Sequence, residues 1–167
     1  MGRRLANTLA FFLENLGAGL WVGTLVTFGY AVAAPVFRTL PSVTQAGSIT
    51  ALVLHRINLM EWTAAGMMVL GTVIFLIQHE HRTPVRWWKT ALLTVMVVLL
   101  FYYSSILMNR MEYLRTVEIK DFDRFEESTR TARDEFDVLH KRYTRLAGAN
   151  IFLGLGFLLL SGVSRRQ

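Results

Sequence analysis

This chain contains four long apolar runs, at about residues 8–34, 57–78, 87–108 and 146–163. Each run is close to the roughly 20 residues that a helix needs to cross the hydrocarbon core of a bilayer. Inside hydrocarbon every backbone N–H and C=O group must be paired within the protein, so these runs can only be helices. The sequence therefore predicts an all-α integral membrane protein, a four-transmembrane-helix bundle forming one domain over residues 1–167.

Composition narrows the classes of function. The chain is 53% hydrophobic, has a net charge of +6 and contains no cysteine, which excludes disulfides, thiolate metal sites and cysteine nucleophiles. Basic residues flank the spans, as expected for orientation and for contact with anionic lipid. No aromatic and basic platform lies outside the spans. We therefore expect the lipid bilayer as partner, with a protein partner or homo-oligomer in the membrane as a further possibility, and no nucleic acid.

The polar connections carry helix signals. Pro35 disfavours a helical conformation in the residue before it and predicts that the first span ends there. Ser42 and Gln45 form a capping-box pattern, which predicts an interfacial helix over roughly 43–56. The segment over about 109–145 contains nine basic and nine acidic residues, which are interspersed. It also contains apolar residues, several of them three or four positions apart. This pattern predicts a charged helical hairpin that extends spans three and four.

Orientation follows from the number of spans and the placement of charge. Four spans place both termini and the 79–88 loop on one face, which we call side A, and the 35–56 connection and charged hairpin on side B. Side B has eleven basic residues and side A seven. However, the charges next to the first span usually determine the orientation of the whole protein, and Arg3 and Arg4 directly precede this span. The hairpin carries no net charge. We predict a bacterial inner-membrane protein with both termini cytoplasmic.

Polar side chains collect on side B, because the ends of spans one and three meet the starts of spans two and four there. Ionisable groups near the hydrocarbon boundary are costly unless paired and often mark a pathway or ligand site. Glu61 lies about one turn inside span two, so we expect an arginine or histidine partner. The candidate polar cluster consists of Arg38, His55, Asn58, Glu61, Asn109, His140 and Tyr143, with Arg56, Arg110 and Asn150 at the same level.

Histidines raise the question of a cofactor. His55 and His140 could ligate a haem iron or a divalent metal, or could simply make ordinary interfacial hydrogen bonds. The adjacent His79, Glu80 and His81 could bind zinc only with further ligands. No cofactor is firmly predicted, and haem and a divalent metal stay open.

Glu14 lies about two turns into the first span from side A. A charged residue at such a depth is a functional candidate. The alternatives are that its side chain reaches back to the interface, or that it forms a salt bridge with Arg82 or Arg165.

Several short motifs carry a family resemblance. They are WVGTLVTF at 21–28, APVFRTLP at 34–41, NRMEYLR at 109–115, FDVLH at 136–140 and the small-residue span over 146–162. In this order they resemble the family of transmembrane protein 205 and its bacterial relatives, which carry a domain of unknown function. The resemblance covers nearly the whole chain and implies four helices. More remotely, the layout is similar to a superfamily that contains copper-resistance D proteins and the membrane haem protein of protoporphyrinogen oxidation. This resemblance implies binding of a metal ion or of haem.

Three functions are compatible with these observations. The first is a non-enzymatic packing partner or accessory subunit, because Gly19 and Gly23 in span one, and further glycines in span four, would let a neighbouring helix approach closely. The second is a membrane protein that handles a metal ion or small solute through the side B cluster. The third is a haem-binding oxidoreductase. The sequence favours the first and a non-enzymatic role.

Overall fold

The computed structural model describes residues 2–78 and 84–164, and these are helical apart from short connections. Within them, four helices are long and apolar enough to cross a membrane. The prediction of an all-α four-helix membrane bundle is therefore confirmed. We call the helices span one (Gly2–Thr39), span two (Val43–Ile77), span three (Pro84–Ile119) and span four (Glu127–Val163).

Span one continues through Pro35, so the predicted end of the span at this residue is wrong. The span is α-helical over Gly2–Thr27, forms a π-helical turn over Phe28–Ala33 and is α-helical again over Ala34–Thr39. Pro35 lies in the first turn of the last segment, where the missing N–H group of proline is tolerated. The chain then reverses at residues 40–42.

Span two begins as the sequence predicts, because the Ser42 hydroxyl accepts a hydrogen bond of 3.1 Å from the Gln45 N–H. Residues 43–56 are helical and run directly into the apolar part of span two, as predicted. No proline interrupts the chain there, so the α-helix runs unbroken over Val43–Ile77.

The charged hairpin is helical along both arms, which confirms the predicted extensions. In span three, π-helical turns at Tyr102–Leu107 and Leu114–Ile119 alternate with α-helix over Pro84–Phe101 and Met108–Tyr113. The chain turns over residues 120–126, with Lys120 at a φ of 59°. Span four starts with a short 3₁₀ turn at Glu127–Thr129 and is α-helical over Arg130–Ser164.

Span one packs most closely against span two and also contacts span four, which in turn packs against span three. The interface between spans one and two is tight at two glycines. A Cβ added at Gly17 would lie 2.7 Å from the Ala64 carbonyl oxygen, and one added at Gly71 would lie 2.7 Å from the Ala10 carbonyl oxygen. Gly19 and Gly23 do not have this role within the chain, since an added Cβ on either would meet nothing within 4 Å.

Spans two and three pack far less closely than spans one and two. Side-chain hydrogen bonds join them instead. The Trp62 indole N–H donates to the Ser104 hydroxyl over 3.3 Å, and the Arg115 guanidinium donates to the Ser48 hydroxyl over 2.9 Å. This polar connection matters for the candidate site, which lies between the same two helices.

Candidate functional site

Glu61 of span two is fully buried in the middle of the bundle. Its Oε1 atom accepts a hydrogen bond from the hydroxyl of Tyr103 in span three. The same hydroxyl accepts a 3.2 Å hydrogen bond from the Asn150 side-chain amide of span four, which also donates to the Met96 carbonyl over 3.1 Å. One tyrosine hydroxyl thus joins polar side chains of three spans.

A second set of contacts extends this arrangement towards side B. The Tyr143 hydroxyl donates to the Asn58 Oδ1 atom over 3.1 Å, and the Asn58 amide nitrogen lies 2.8 Å from the Met108 sulfur. The Tyr103 and Tyr143 rings meet edge to face, with centroids 5.2 Å apart. We call the five linked polar residues the Glu61 network: Asn58, Glu61, Tyr103, Tyr143 and Asn150.

Three buried polar atoms at this network have no hydrogen-bond partner among the residues that the structure describes. They are the Glu61 Oε2, the Asn150 Oδ1 and the indole Nε1 of Trp21 in span one. The Trp21 N–H group approaches the Glu61 carboxyl closely enough to interact with it, but outside hydrogen-bond geometry. Buried polar atoms are nearly always paired, so two unpaired acceptors within one buried network are unusual.

The structure brings together only part of the predicted cluster. Asn58, Glu61 and Tyr143 meet within the Glu61 network, as does Asn150 from the same membrane level. The other four predicted members have exposed side chains and no hydrogen bond to the network: Arg38, His55, Asn109 and His140. Whether the predicted cluster forms a functional site stays a prediction.

The expected arginine or histidine partner of Glu61 is not found within residues 2–78 and 84–164, where its hydrogen bond comes from Tyr103 instead. His55 is six residues away on the same helix, a rise of about 9 Å along its axis. The fully buried Glu61 and the exposed His55 therefore face different surroundings. Sequence position alone placed both residues at one membrane level but did not determine which way each side chain points.

His55 and His140, the two predicted metal ligands, lie outside the Glu61 network, and their role as ligands stays a prediction. Both imidazoles are exposed, and the His140 ring stacks on Phe136 at a centroid distance of 6.1 Å. In the part of the chain that the structure describes, no group of three or more His, Cys, Asp or Glu side chains could hold a metal ion. The His79, Glu80 and His81 segment lies outside the described residues.

A second buried polar group lies closer to side A. Glu14 of span one forms an ion pair with Lys89 of span three and accepts a 2.9 Å hydrogen bond from Thr72 of span two. The Lys89 ammonium also lies 4.7 Å from the centre of the Phe157 ring. The carboxylate is therefore satisfied inside the bundle. Its two predicted partners, Arg82 and Arg165, lie outside the described residues.

Sequence reasoning missed Tyr103, Trp21 and Lys89 as parts of these groups. Tyr103 lies near the end of the third apolar run, and a tyrosine hydroxyl within a span needs a partner, which is a usable signal. It also lies in a π-helical turn, and such turns are frequent at functional sites. Lys89 was counted only as a charge that sets orientation.

The loop between spans three and four is fixed to the start of span two. Asp123 accepts hydrogen bonds from the Ser42 hydroxyl over 2.5 Å and from the Val43 N–H over 2.6 Å. The Thr44 hydroxyl donates to Asp121 over 3.1 Å. The Ser42 hydroxyl and then the backbone N–H groups hold the pKa of Asp123 below its usual value, despite partial desolvation.

Comparison with known families adds one finding. A family described as a domain of unknown function, DUF4149, matches residues 16–118. This chain belongs to the DUF4149 family. The DUF4149 match contains Trp21, Glu61 and Tyr103 and ends before the span-four members of the Glu61 network. Searches of curated proteins and of solved structures find no match.

Proposed function

We propose that this DUF4149 protein handles a small polar solute in the membrane, with the Glu61 network as its site. The observation that carries the proposal is the presence of unpaired buried acceptors on Glu61 and Asn150 within one network, with the Trp21 indole N–H next to the Glu61 carboxyl. Leaving a buried polar group unpaired costs about 1–3 kcal/mol, so such a group of atoms is expected where a further molecule binds.

The chemistry of these atoms indicates the kind of solute. The two unpaired acceptors complement a small molecule that donates two hydrogen bonds, such as a small amide or polyol. A metal ion is a poorer match, because the Trp21 indole N–H is a donor and not a ligand. We therefore favour a hydrogen-bonding solute over the metal ion and haem alternatives.

The route of approach is from side B. On that side the polar contacts continue from Tyr103 to Tyr143 and Asn58. Towards side A the neighbouring side chains of spans one and two are apolar and fully buried: Ala18, Ala64 and Met68. A solute would thus reach the network through the polar half of the bundle and meet an apolar layer beyond it.

Solute flux into vesicles tests the proposal. The protein is reconstituted into phosphatidylcholine vesicles, which are mixed with glycerol or acetamide while light scattering reports re-swelling. We expect faster entry of at least one solute than into protein-free vesicles. Glu61→Gln keeps the size and the Tyr103 contact but replaces the free acceptor with an amide donor, so the flux should fall to the protein-free rate.

Matched amide variants sharpen this test. Asn150→Leu should abolish the flux, whereas Asn109→Leu should leave it unchanged, because Asn109 is an exposed amide outside the network. If neither solute enters faster than into protein-free vesicles, or if Glu61→Gln transports as well as wild type, the proposal is wrong.

A second candidate function is that of a non-enzymatic packing partner or accessory subunit. It is supported by Gly19 and Gly23, which are exposed on span one with open space over both. Small residues at such a surface allow a second transmembrane helix to approach closely. Light scattering of the protein purified in a mild detergent tests this function. A stable complex or homo-oligomer that Gly23→Leu dissociates would support it, and a monomer would argue against it.

Finer assignments are proposals of the same kind. The order of motifs at 21–28, 34–41 and 136–140 supports a relationship within DUF4149 to transmembrane protein 205 and its bacterial relatives. The remote likeness to copper-resistance D proteins has less support, because His55 and His140 are both exposed. We also propose a bacterial inner-membrane location with both termini cytoplasmic, supported by Arg3 and Arg4 before span one.

A further inference from the structure

A second group of buried polar side chains lies near side A, beyond the apolar layer that follows the Glu61 network. Glu14 forms an ion pair with Lys89 and accepts a 2.9 Å hydrogen bond from Thr72. Glu14, Lys89 and Thr72 are only 3%, 6% and 8% exposed, respectively. We call these three residues the Glu14 group. Thr72 follows Glu61 by eleven residues on span two, a rise of about 16 Å along the helix axis.

A crevice between spans one, two and three leads from the surface of the bundle to the Glu14 group. Its lining includes all three members of the group together with Phe75, Leu76 and Thr90. Leu76 is 53% exposed, whereas Lys89 is buried, so the crevice connects the outer surface with the buried ammonium. Close packing between spans two and three is sparse, which leaves room for this opening.

The crevice lies close to the side A interface of the membrane. Trp87 and Trp88 directly precede Lys89 and are 63% and 67% exposed. Exposed tryptophans at the end of a span mark the head-group level of a bilayer. A polar solute that enters here from the water on side A therefore crosses little hydrocarbon before it meets the Glu14 group.

The Lys89 ammonium has hydrogen-bonding capacity that the described residues do not use. An ammonium carries three N–H groups. Within residues 2–78 and 84–164, the ammonium donates to one acceptor, the Glu14 carboxylate. The centre of the Phe157 ring lies 4.7 Å from the nitrogen and takes up a second direction. A buried ammonium that lines a crevice with a donor to spare is suited to a ligand that accepts a hydrogen bond.

The ion pair is not needed to hold the bundle together. Apolar residues of similar volume often replace a buried ion pair without loss of stability. Ionisable residues are rare within membrane spans, and those that occur commonly mark the path of a substrate or an ion. The Glu14 and Lys89 pair is therefore better explained by a ligand than by packing.

We propose that the Glu14 group is a second binding position for the small polar solute, at the side A end of a path whose side B end is the Glu61 network. A hydroxyl or amide group can accept from Lys89 and donate to Glu14, so the same class of solute fits both positions. The apolar layer of Ala18, Ala64 and Met68 separates the two positions. Apolar constrictions of this kind gate a path by excluding water. This inference rests on the proposed function, because it extends the path of the same solute.

Flux into vesicles that carry a double variant tests the second position. Glu14→Leu and Lys89→Met are combined, because the double change leaves neither charge unpaired inside the bundle. With glycerol or acetamide outside phosphatidylcholine vesicles, we expect solute entry to fall to the protein-free rate. Glu127→Leu combined with Arg130→Met is the matched control, since it removes an exposed ion pair far from the path, and it should transport like wild type.

A thiol at the mouth of the crevice gives a second test, which is independent of how the double variant folds. The chain has no cysteine, so Leu76→Cys provides a single site for N-ethylmaleimide. Labelling should slow solute entry relative to the same variant before labelling. Leu5→Cys is the control, because Leu5 is exposed on span one and does not line the crevice, and its transport should be the same before and after labelling.

The outcomes distinguish the second position from the solute site itself. Loss of flux in Glu61→Gln together with normal flux in the double variant at Glu14 and Lys89 would overturn the second position and leave the solute site in place. Unchanged flux after labelling of Leu76→Cys would also overturn the second position. If the wild-type protein transports neither solute, the proposed function is wrong and the second position is wrong with it.

Discussion

Tyr103 is the residue on which most of the buried polar contacts converge. Its hydroxyl donates to Glu61, accepts from Asn150, and its ring packs against Tyr143. A single oxygen atom therefore joins spans two, three and four at the centre of the bundle. In lipid, where helices have no hydrophobic drive to associate, such interhelical hydrogen bonds contribute to packing.

Removing this hydroxyl should therefore destabilise the bundle. Tyr103→Phe leaves a Glu61 oxygen and an Asn150 N–H without partners, and we expect a loss of about 1–2 kcal/mol in the free energy of unfolding. Denaturant-induced unfolding in detergent, followed by circular dichroism, measures it. Tyr102→Phe is the control, because Tyr102 is exposed and should tolerate the change. Equal effects of the two variants would contradict the role given to Tyr103.

At this scale the sequence predicts some contacts and not others. Topology alone brings Asn58, Glu61 and Tyr143 to one level, because the connections fix which span ends meet. It does not reveal that Tyr103, rather than a histidine, is the partner of Glu61. That choice depends on how each helix is rotated about its axis, which the packing of all four spans determines together.

Span two shows how a single helix is positioned by small residues. Gly71 lies against the backbone of span one, and a Cβ there would stand 2.7 Å from the Ala10 carbonyl oxygen and 2.8 Å from the Glu14 Cγ. Gly66, on the same helix, has nothing within 4 Å of an added Cβ. The two residues are thus identical in type, but Gly71 is closely packed against span one and Gly66 has open space beside it.

This contrast gives a matched pair of variants. Gly71→Ala should cost about 1–3 kcal/mol, because the helices must move apart and the Glu14 contacts are disturbed. Gly66→Ala should be neutral or stabilising, since alanine favours helix over glycine by up to about 1 kcal/mol. Melting temperatures in the same detergent measure both. A similar change in melting temperature in both variants would contradict the role given to close approach at Gly71.

The hydrogen bonds from the start of span two to Asp123 predict that the stability of the protein depends on pH. In the folded protein the pKa of Asp123 is below its usual value. The ionised carboxylate therefore stabilises the fold at pH values above the usual pKa of the unfolded chain. This contribution is lost as the pH falls through the lowered pKa. Asp123→Asn should therefore melt at a lower temperature than wild type at pH 7, with the difference shrinking below about pH 4.

An exposed acidic residue of the same hairpin provides the control for this pH experiment. Asp137→Asn should melt like wild type at both pH values. A difference between wild type and Asp123→Asn that stays constant from neutral to acidic pH would show that the carboxylate charge does not contribute.

The membrane orientation is a property of the whole molecule. The absence of cysteine lets one introduced thiol report on one position. With both termini cytoplasmic, Ser128→Cys on side B should react with a membrane-impermeant maleimide in intact spheroplasts. Gly2→Cys on side A should react only after lysis. The reverse pattern would mean that the neutral hairpin, and not the N-terminal arginines, faces the cytoplasm.

The fold itself could be predicted more fully than the site. Four apolar runs fix the number of helices, because backbone groups in hydrocarbon have no alternative to internal pairing. Element ends were less certain, as Pro35 shows, since a π-helical turn before it accommodates the proline within the span. The relative packing of the spans had no sequence signal comparable to hydropathy.

Among neighbouring spans, close packing is weakest between spans two and three. Spans one and two form one tightly packed pair, spans three and four form another, and spans one and four connect the pairs. Along the remaining boundary, side-chain hydrogen bonds such as Trp62 to Ser104 substitute for close packing. Water or lipid head groups can replace such bonds, whereas a backbone contact like that at Gly71 has no substitute. The boundary between spans two and three, which passes beside Glu61, therefore depends more on polar side-chain contacts than on close helix packing.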